Sequence, residues 1–144
     1  MRITDATQDM RQQIVSLLQG DHLPVDDLPE VLDNFFVAID QDAPVGVIGM
    51  ETYGQYGLLR SMVVHPEYRR NNIASTLVSR LEKKAAKSGI AELYLLTETA
   101  SGYFQKKGFE VIDRKSVPQP ITKSSEFSHV CPVSAIVMKK DLIN

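Results

Sequence analysis

A change of periodicity between residues 58 and 97 constrains the fold of this chain more than any other feature. Residues 58–64 form an apolar run typical of a strand. The following segment repeats apolar residues every four positions, as an amphipathic helix does, at Ile73, Leu77, Leu81 and Ala85. Residues 90–97 are apolar on both alternations, as in a strand that is covered on both faces. Strand, helix and strand in this order predict a βαβ unit whose two strands run parallel.

Weaker signals precede this unit. Residues 7–20 carry apolar side chains on one helical stripe, with Thr7 placed to cap the helix and Gly20 to end it. Residues 21–34 predict a loop with at most one short helix. Apolar runs at 35–39 and 45–53, joined by a turn, predict a hairpin that continues into residues 58–64 as an antiparallel meander.

The region after the βαβ unit predicts three further elements. A short helix at 100–107 ends at Gly108, strands follow at 109–113 and 134–139, and a long loop covers 114–133. The chain therefore predicts a mixed α/β (α+β) fold in a single domain, residues 1–144. The sheet is expected to be mostly antiparallel with a central parallel strand pair, and to carry helices on both faces.

Composition excludes several classes of function. The 16 basic and 18 acidic side chains give a net charge of -2, without the positive field that attracts nucleic acid. No apolar run approaches the ~20 residues that cross a bilayer, and the amino terminus lacks a signal-peptide pattern. Cys131 is the single cysteine, which fits a reducing compartment. We expect a cytoplasmic protein with no nucleic-acid or membrane partner. Cys131 and His129 are too few ligands for a metal, so none is expected.

A polar loop of residues 65–72, which we call the anion loop, joins the strand at 58–64 to the long helix. A helix amino terminus offers unpaired N–H groups and the positive end of the helix dipole, so a diphosphate would fit here. Asn72 tolerates the positive φ that inward-turned amides require, and Ala74 and Ser75 are small enough for a ligand to approach the backbone. Taken alone, the loop is equally consistent with a solvated cap on the helix.

Two stretches resemble the GNAT acetyltransferases. Residues 63–74, V-V-H-P-E-Y-R-R-N-N-I-A, are similar to that family's motif A, R-x-x-G-x-G/A. Residues 103–109, Y-F-Q-K-K-G-F, are similar to its later helix-to-strand signature ending in G-F, and the order of elements agrees across nearly the whole chain. The resemblance implies a splayed sheet that holds the pantetheine of acetyl-CoA between the two parallel strands. It implies these cofactor-binding residues: Met62, Val63, Val64, Arg69, Arg70, Asn71, Asn72, Ile73, Ala74 and Ser75.

The chain departs from the family pattern at two positions. The family usually has glycine where this chain has Asn72, which can adopt the same backbone shape at a modest cost. Many members also have a tyrosine four residues before the glycine of the G-F pair, where its hydroxyl protonates the departing thiolate. That position is Phe104, which cannot donate a proton. Tyr103 is the candidate acid in its place, but water could serve instead, and Tyr103 could simply pack on the sheet.

Glu51 is the candidate general base. A primary amine has a pKa near ~10 and must lose a proton before it attacks a thioester, and a carboxylate can relay that proton through water. Glu98, at the end of residues 90–97, is the alternative. Either carboxylate could equally be an exposed charge at the end of a strand.

Arg60 interrupts an otherwise apolar strand, and an unpaired buried cation is costly. We therefore expect it to have a partner. That partner is either Glu51 or another carboxylate of the protein, or it is an anionic group of the substrate. In the second case, Arg60 and Glu51 together would bind the acceptor.

At closer range the chain is similar to one branch of the family, the arsenic-resistance N-acetyltransferases. The similarity rests on Tyr53-Gly54 with residues 57–61, on residues 94–97, and on Glu126-Phe127 through Cys131-Pro132 with Ser134-Ala135. This branch implies an anionic, amino-acid-like acceptor, including an arsenic-containing one. It also makes Phe104 a trait of the branch.

The sequence thus predicts an acetyl-CoA-dependent N-acetyltransferase in which a small amine attacks the thioester directly. A backbone N–H near Met62 to Val64 is expected to hold the oxyanion, without a covalent acetyl-enzyme. A non-catalytic acyl-CoA-binding sensor or scaffold is the alternative, supported by Phe104, and a nucleotide-binding module is a further rival. The acceptor, the acyl-chain length and the oligomeric state, a homodimer included, stay open.

Overall fold

The computed structural model describes residues 1–23, 25–69, 71–124 and 135–142. The strands in these residues are β1 (Arg2–Asp5), β2 (Phe35–Asp40), β3 (Ala43–Tyr53), β4 (Tyr56–Val64), β5 (Glu92–Thr97), β6 (Glu110–Ile112) and β7 (Ile136–Asp141). The α-helices are α1 (Arg11–Gly20), α2 (Ile73–Lys87), α3 (Ser101–Lys106) and α4 (Gln119–Thr122). Short 3₁₀ turns lie at Gln8–Met10, Pro66–Tyr68 and Arg114–Ser116.

The strands form one sheet in the order β1-β2-β3-β4-β5-β7-β6. The pairs β1–β2, β2–β3, β5–β7 and β6–β7 are antiparallel. In contrast, β4 and β5 are parallel, with Tyr56, Gly57 and Leu58 opposite Glu92, Leu93 and Tyr94. The predicted mixed sheet, mostly antiparallel with a parallel strand pair in it, is confirmed.

The chain divides into two compact units. The first comprises Met1–Met50 and Arg60–Lys84, and the second comprises Glu51–Leu59 and Ala85–Asn144. The organisation as a single domain over 1–144 stays a prediction.

Helices pack on both faces of the strands in the first unit. On one face, Phe35, Val37 and Val47 form a buried cluster with Ile14 and Leu18 of α1. Gly46 precedes Val47 in β3 and therefore lies toward the opposite face of the sheet, because successive residues of a strand alternate between the two faces. There, a Cβ at Gly46 would lie 3.3 Å from side-chain atoms of Ile73 and Leu77 in α2. Helices on both faces were predicted, and each fully buried aliphatic side chain here contributes about 1.5–3 kcal/mol.

The second unit has its own core around the start of the parallel pair. Leu58, Tyr94 and Val137 form a cluster with Val117, which precedes α4, and with Ile121 of α4. The short helix α3 ends as predicted. Gly108 has φ of +94°, and the N–H of Phe109 donates to the carbonyl of Phe104 over 3.0 Å.

Three local features, namely the start of the first helix, the presence of α4 and strand β1, differ from the sequence predictions. The first α-helix begins at Arg11 and not at residue 7, because Thr7 heads a 3₁₀ turn and its hydroxyl bonds to the Asp9 side chain. The described residues of 21–34 form turns, in agreement with the predicted loop. The predicted loop at 114–133 contains α4, whose prolines at its amino end favour a helix start. Strand β1, only four residues long, was not predicted.

Candidate functional site

The second half of β4 contains an unusual backbone conformation. Ser61 has φ of +58°, in the left-handed region that non-glycine residues rarely occupy. Such a residue costs of order 1–3 kcal/mol and interrupts the regular alternation of a strand. Met62 follows it half-buried, and Val63 and Val64 are buried. Strained backbone of this kind concentrates at ligand sites.

The anion loop is held by its own side chains and by β3. The backbone N–H of His65 donates to the carbonyl of Val45 over 2.8 Å. Within the loop, Nδ1 of His65 accepts from the N–H of Glu67 at 3.1 Å. The Tyr68 hydroxyl donates to Oδ2 of Asp40 at 3.0 Å. That hydrogen bond, together with smaller effects of burial and nearby negative charge, raises the pKa of Tyr68 above its ordinary value.

Arg69 turns its guanidinium toward α1. Its Nε donates to the carbonyl of Val64 over 3.0 Å, and one Nη lies 3.4 Å from Oδ1 of Asp21. The two side chains of this ion pair are 51% and 47% exposed, so the pair is weak. A bound phosphate could therefore replace Asp21 as the partner of Arg69.

Asn72 has φ of +61°, as the sequence analysis expected of the residue in the family's glycine position. It lies directly before α2, and its carbonyl accepts from both the N–H and the hydroxyl of Thr76, at 3.1 and 2.9 Å. Asn71 and Asn72 are exposed, Ile73 is buried, and Ala74 and Ser75 are half-buried. Arg70, also expected to bind the cofactor, lies outside the described residues.

A cavity of about 540 Å³ adjoins the anion loop within the first unit. Its walls come from α1, the start of β3, the end of β4 and the loop itself, and include Leu17, Asp21, Pro44, Val63, His65 and Arg69. This volume lies within the range of small-molecule sites.

Arg60 is buried and paired with Asp27. The guanidinium and the carboxylate meet in two contacts, at 2.8 and 3.0 Å, with side chains that are 1% and 9% exposed. Nε of Arg60 also donates to Oγ of Ser61 over 3.0 Å. Breaking a buried ion pair by removing one partner costs about 3–5 kcal/mol. Of the two alternatives left open for Arg60, the structure thus provides a carboxylate of the protein.

The candidate acid–base residues lie in the second unit. Glu51 is half-buried at the end of β3, and its Oε1 accepts from the Tyr53 hydroxyl at 2.5 Å. Glu98, the alternative base, is exposed. Tyr103 is half-buried in α3, where its ring meets the Phe104 ring edge-on at 5.3 Å.

Phe104 is 4% exposed and packs edge-on against Phe109 at 5.5 Å. Because both neighbours are aromatic and the side chain is buried, Phe104 acts as a core residue. The usual tyrosine position therefore supplies no proton donor in this chain.

Two further predictions concern a metal site and a membrane-spanning helix. No cluster of three or more His, Cys, Asp or Glu side chains that could hold a metal occurs in the described part of the chain. His129 and Cys131 lie outside that part. Among the described residues, no helix has both the length and the apolar character needed to cross a bilayer.

Comparison with known proteins identifies the family. A sequence model described as "Acetyltransferase (GNAT) domain" matches residues 32–111, which is more than half of the chain. The chain belongs to the GNAT acetyltransferases. One relative, an uncharacterized N-acetyltransferase from Chlorobaculum tepidum, is 30% identical over 98 residues, or 67% of this chain and 63% of the relative. An amino-acid acetyltransferase from Escherichia coli K12 is 32% identical over 63 residues, 44% of this chain and 14% of that protein.

The matched segment thus spans less than two thirds of either relative's own length. Among solved structures, N-acetylglutamate synthase from Neisseria gonorrhoeae, complexed with coenzyme A and N-acetyl-glutamate, superposes with a TM-score of 0.84. It is 17% identical and covers 99% of this chain and 35% of that one, so the likeness shows the GNAT fold alone.

Three residues that contact or adjoin the candidate site residues were not singled out from the sequence. Asp27 is one of several acidic residues between 21 and 34, and although Arg60 predicted a partner, nothing local selects Asp27. Ser61 lies in an apolar run that is typical of regular extended strand. Tyr68 was quoted only as part of a motif, and its contact with Asp40 joins segments 28 residues apart.

Proposed function

We propose that this chain is an acetyl-CoA-dependent N-acetyltransferase in which a small amine attacks the thioester directly. The observation that carries the proposal is Asn72 at φ +61°, directly before α2 and at the end of the anion loop. The family places glycine there, and Asn72 reproduces the backbone shape that a glycine would give. An amino end of a helix beside such a turn is suited to a diphosphate.

The proposed cofactor contacts divide between two segments. Arg69 and the backbone of residues 70–75 would bind the pyrophosphate. The N–H groups of Met62, Val63 and Val64 would contact the pantetheine and the oxyanion of the tetrahedral intermediate. These roles come from the resemblance to motif A and are supported by the geometry of Ser61 and Asn72.

We propose an amino-acid-like, anionic amine as the acceptor. The support is that relatives matching this chain are named amino-acid acetyltransferases, and every free amino acid carries a carboxylate. An arsenic-containing amino acid is included in the proposal through the similarity to the arsenic-resistance branch. A cytoplasmic location, inferred from the single Cys131, belongs to the same proposal.

We propose Glu51 as the base that takes the amine proton through water. Its half-buried position next to Tyr53 supports the assignment over the exposed Glu98. For the thiolate, Tyr103 is the proposed acid, with water as the alternative. A thiol is a far better leaving group than an alkoxide near neutral pH, so a dedicated acid is helpful without being required.

A non-catalytic acyl-CoA sensor is the second candidate. Its support is the burial of Phe104, which leaves the usual acid position without a proton donor. The sensor would bind acetyl-CoA and release no thiol.

Release of CoA thiol, measured against a panel of amines, separates the two candidates. The panel should pair each amino acid with its amide or decarboxylated analogue, so that the carboxylate is tested separately from the amine. We expect saturable thiol release with amino acids and weaker release with the analogues that lack the carboxylate. Tight acetyl-CoA binding without thiol release for any amine would instead establish the sensor.

A further inference from the structure

Arg60 and Ser61 are consecutive residues of β4: Arg60 forms a buried ion pair, and Ser61 has a strained backbone. Arg60 is 2% exposed and binds both carboxylate oxygens of Asp27. Ser61 adopts φ of +58° and accepts a hydrogen bond from Nε of Arg60 at 3.0 Å. One guanidinium therefore joins a loop carboxylate to the strained residue. We call Asp27, Arg60 and Ser61 the clasp.

The strained backbone at Ser61 needs support from its surroundings. Serine lacks the conformational freedom of glycine, and a strand left to itself would relax to extended φ at this position. The Arg60 hydrogen bond fixes the Ser61 side chain, and Asp27 fixes the Arg60 guanidinium in turn. Asp27 precedes Arg60 by 33 residues, so this ion pair links the turns at 25–34 to the middle of β4.

We propose that the clasp is a positioning device for acetyl transfer, and that Arg60 acts through Asp27 and Ser61 without touching the acceptor. The inference rests on the proposed function. A change of φ at Ser61 rotates the peptide groups that follow it, and these belong to Met62, Val63 and Val64. The clasp would thus fix the direction of the N–H groups that face the oxyanion.

This role separates from cofactor affinity. The pyrophosphate contacts proposed above lie on residues 69–75, and the clasp lies at residues 27, 60 and 61. Loosening the clasp should therefore reduce the rate of the chemical step far more than the affinity for acetyl-CoA, because it disturbs the N–H groups of Met62 to Val64 and leaves the pyrophosphate contacts in place. If Arg60 instead bound the acceptor directly, replacing Arg60 would raise the KM for the acceptor.

Asp27→Asn tests the clasp with nearly unchanged side-chain volume. We expect kcat to fall by about ten- to hundredfold, with the KM for acetyl-CoA within about twofold of the unmodified chain. The matched control is Asp5→Asn, because Asp5 pairs with Arg80 at 3.5 Å through side chains that are 72% and 43% exposed. We expect this control to have the same kcat and KM values as the unmodified chain.

Ser61→Gly, added to Asp27→Asn, supplies the rescue. Glycine adopts positive φ at no steric cost, so the strand conformation should be recovered in part without the clasp. We expect the double variant to regain at least about threefold in kcat over Asp27→Asn. Ser61→Ala keeps the ion pair and removes only the hydroxyl, so it provides a folded variant if Asp27→Asn fails to fold. We expect Ser61→Ala to lower kcat, with the KM for acetyl-CoA within about twofold of the unmodified chain.

A fall in melting temperature with unchanged kcat would overturn the proposal and leave the clasp as a structural support. A raised acceptor KM at constant kcat would overturn it in favour of Arg60 as an anchor. Hydrogen exchange of the Met62, Val63 and Val64 amides gives a readout that needs no substrate. We expect faster exchange in Ser61→Ala, and unchanged exchange would refute the clasp even if the chain acetylates amines. Faster exchange in a chain without transferase activity would instead refute only the proposed function.

Discussion

Tyr68 donates a hydrogen bond to Asp40 over 3.0 Å and so ties the anion loop to the end of β2. The loop contains the 3₁₀ turn Pro66–Tyr68 and leads directly to Asn72 and α2. Outside this turn, the loop is anchored by backbone and side-chain contacts of His65 and Arg69. Loss of the Tyr68 contact should therefore weaken the binding of acetyl-CoA by the anion loop.

Tyr68→Phe removes this hydrogen bond and keeps the ring. We expect the KM for acetyl-CoA to rise by about three- to tenfold, because a less ordered loop loses more entropy on binding, with kcat nearly unchanged. Steady-state kinetics with varied acetyl-CoA measures this. Tyr56→Phe is the matched control, since its hydroxyl makes a long contact of 3.5 Å with Gln55 among the described residues. Equal effects of the two substitutions would contradict a specific role for Tyr68.

Asn72 offers a test of the backbone conformation before α2. Asn72→Gly should keep or slightly improve acetyl-CoA binding, because glycine accepts φ near +61° without strain. Asn72→Val should lose about 1–2 kcal/mol of stability and bind acetyl-CoA more weakly, since a β-branched side chain is disfavoured in the left-handed region. Calorimetric titration and thermal unfolding measure both effects. Tighter binding by Asn72→Val than by Asn72→Gly would argue against inward-turned amides at this position.

Glu51→Gln tests the proposed base. We expect kcat to fall by about 10²–10⁴-fold, as is typical when a general base is removed, with the greatest loss at low pH, where fewer amines are already deprotonated. Glu98→Gln is the control and should retain nearly full activity. A pH–rate profile of both variants distinguishes the bases, and a larger loss in Glu98→Gln would transfer the role to Glu98.

Gly49 tests the packing of the first unit independently of catalysis. A Cβ there would lie closer than 3.0 Å to three ring atoms of Phe35. Gly49→Ala should therefore destabilise the fold by about 1–3 kcal/mol, as overpacking does. Gly46→Ala is the matched control, because its Cβ would meet side-chain atoms of Ile73 and Leu77 at 3.3 Å, a milder overlap than at Gly49. Urea unfolding should place Gly46→Ala closer to the unmodified chain, and the reverse order would contradict this packing.

The parts of the fold that the sequence predicts well depend on local chemistry. Helix α2 begins after Asn72 and carries its apolar stripe through Ala85, and its end near Gly89 follows from the positive φ of +83° that glycine adopts there. The parallel pair follows from strand, helix and strand in sequence. The hairpin of β2 and β3 follows from a turn in which Gln41 and Asp42 both have positive φ.

Other features depend on contacts between distant segments and could not be predicted. The clasp needs Asp27 and Arg60 to meet, and a sequence can predict that Arg60 needs a partner without selecting among the acids. The φ of Ser61 is set by neighbouring structure, since serine in an apolar run ordinarily adopts an extended conformation. Strand β1 has only four residues, too few for alternation to be recognised above the background.

The most direct test of acetyl transfer is mass spectrometry of the product. The full chain is incubated with acetyl-CoA labelled in its acetyl group and with a mixture of amino acids. We predict that one or a few amines gain a single labelled acetyl group as free CoA appears in equal amount. Acetyl-CoA that remains bound and intact, with no labelled amine at any concentration tested, would contradict the proposal that this chain is an N-acetyltransferase.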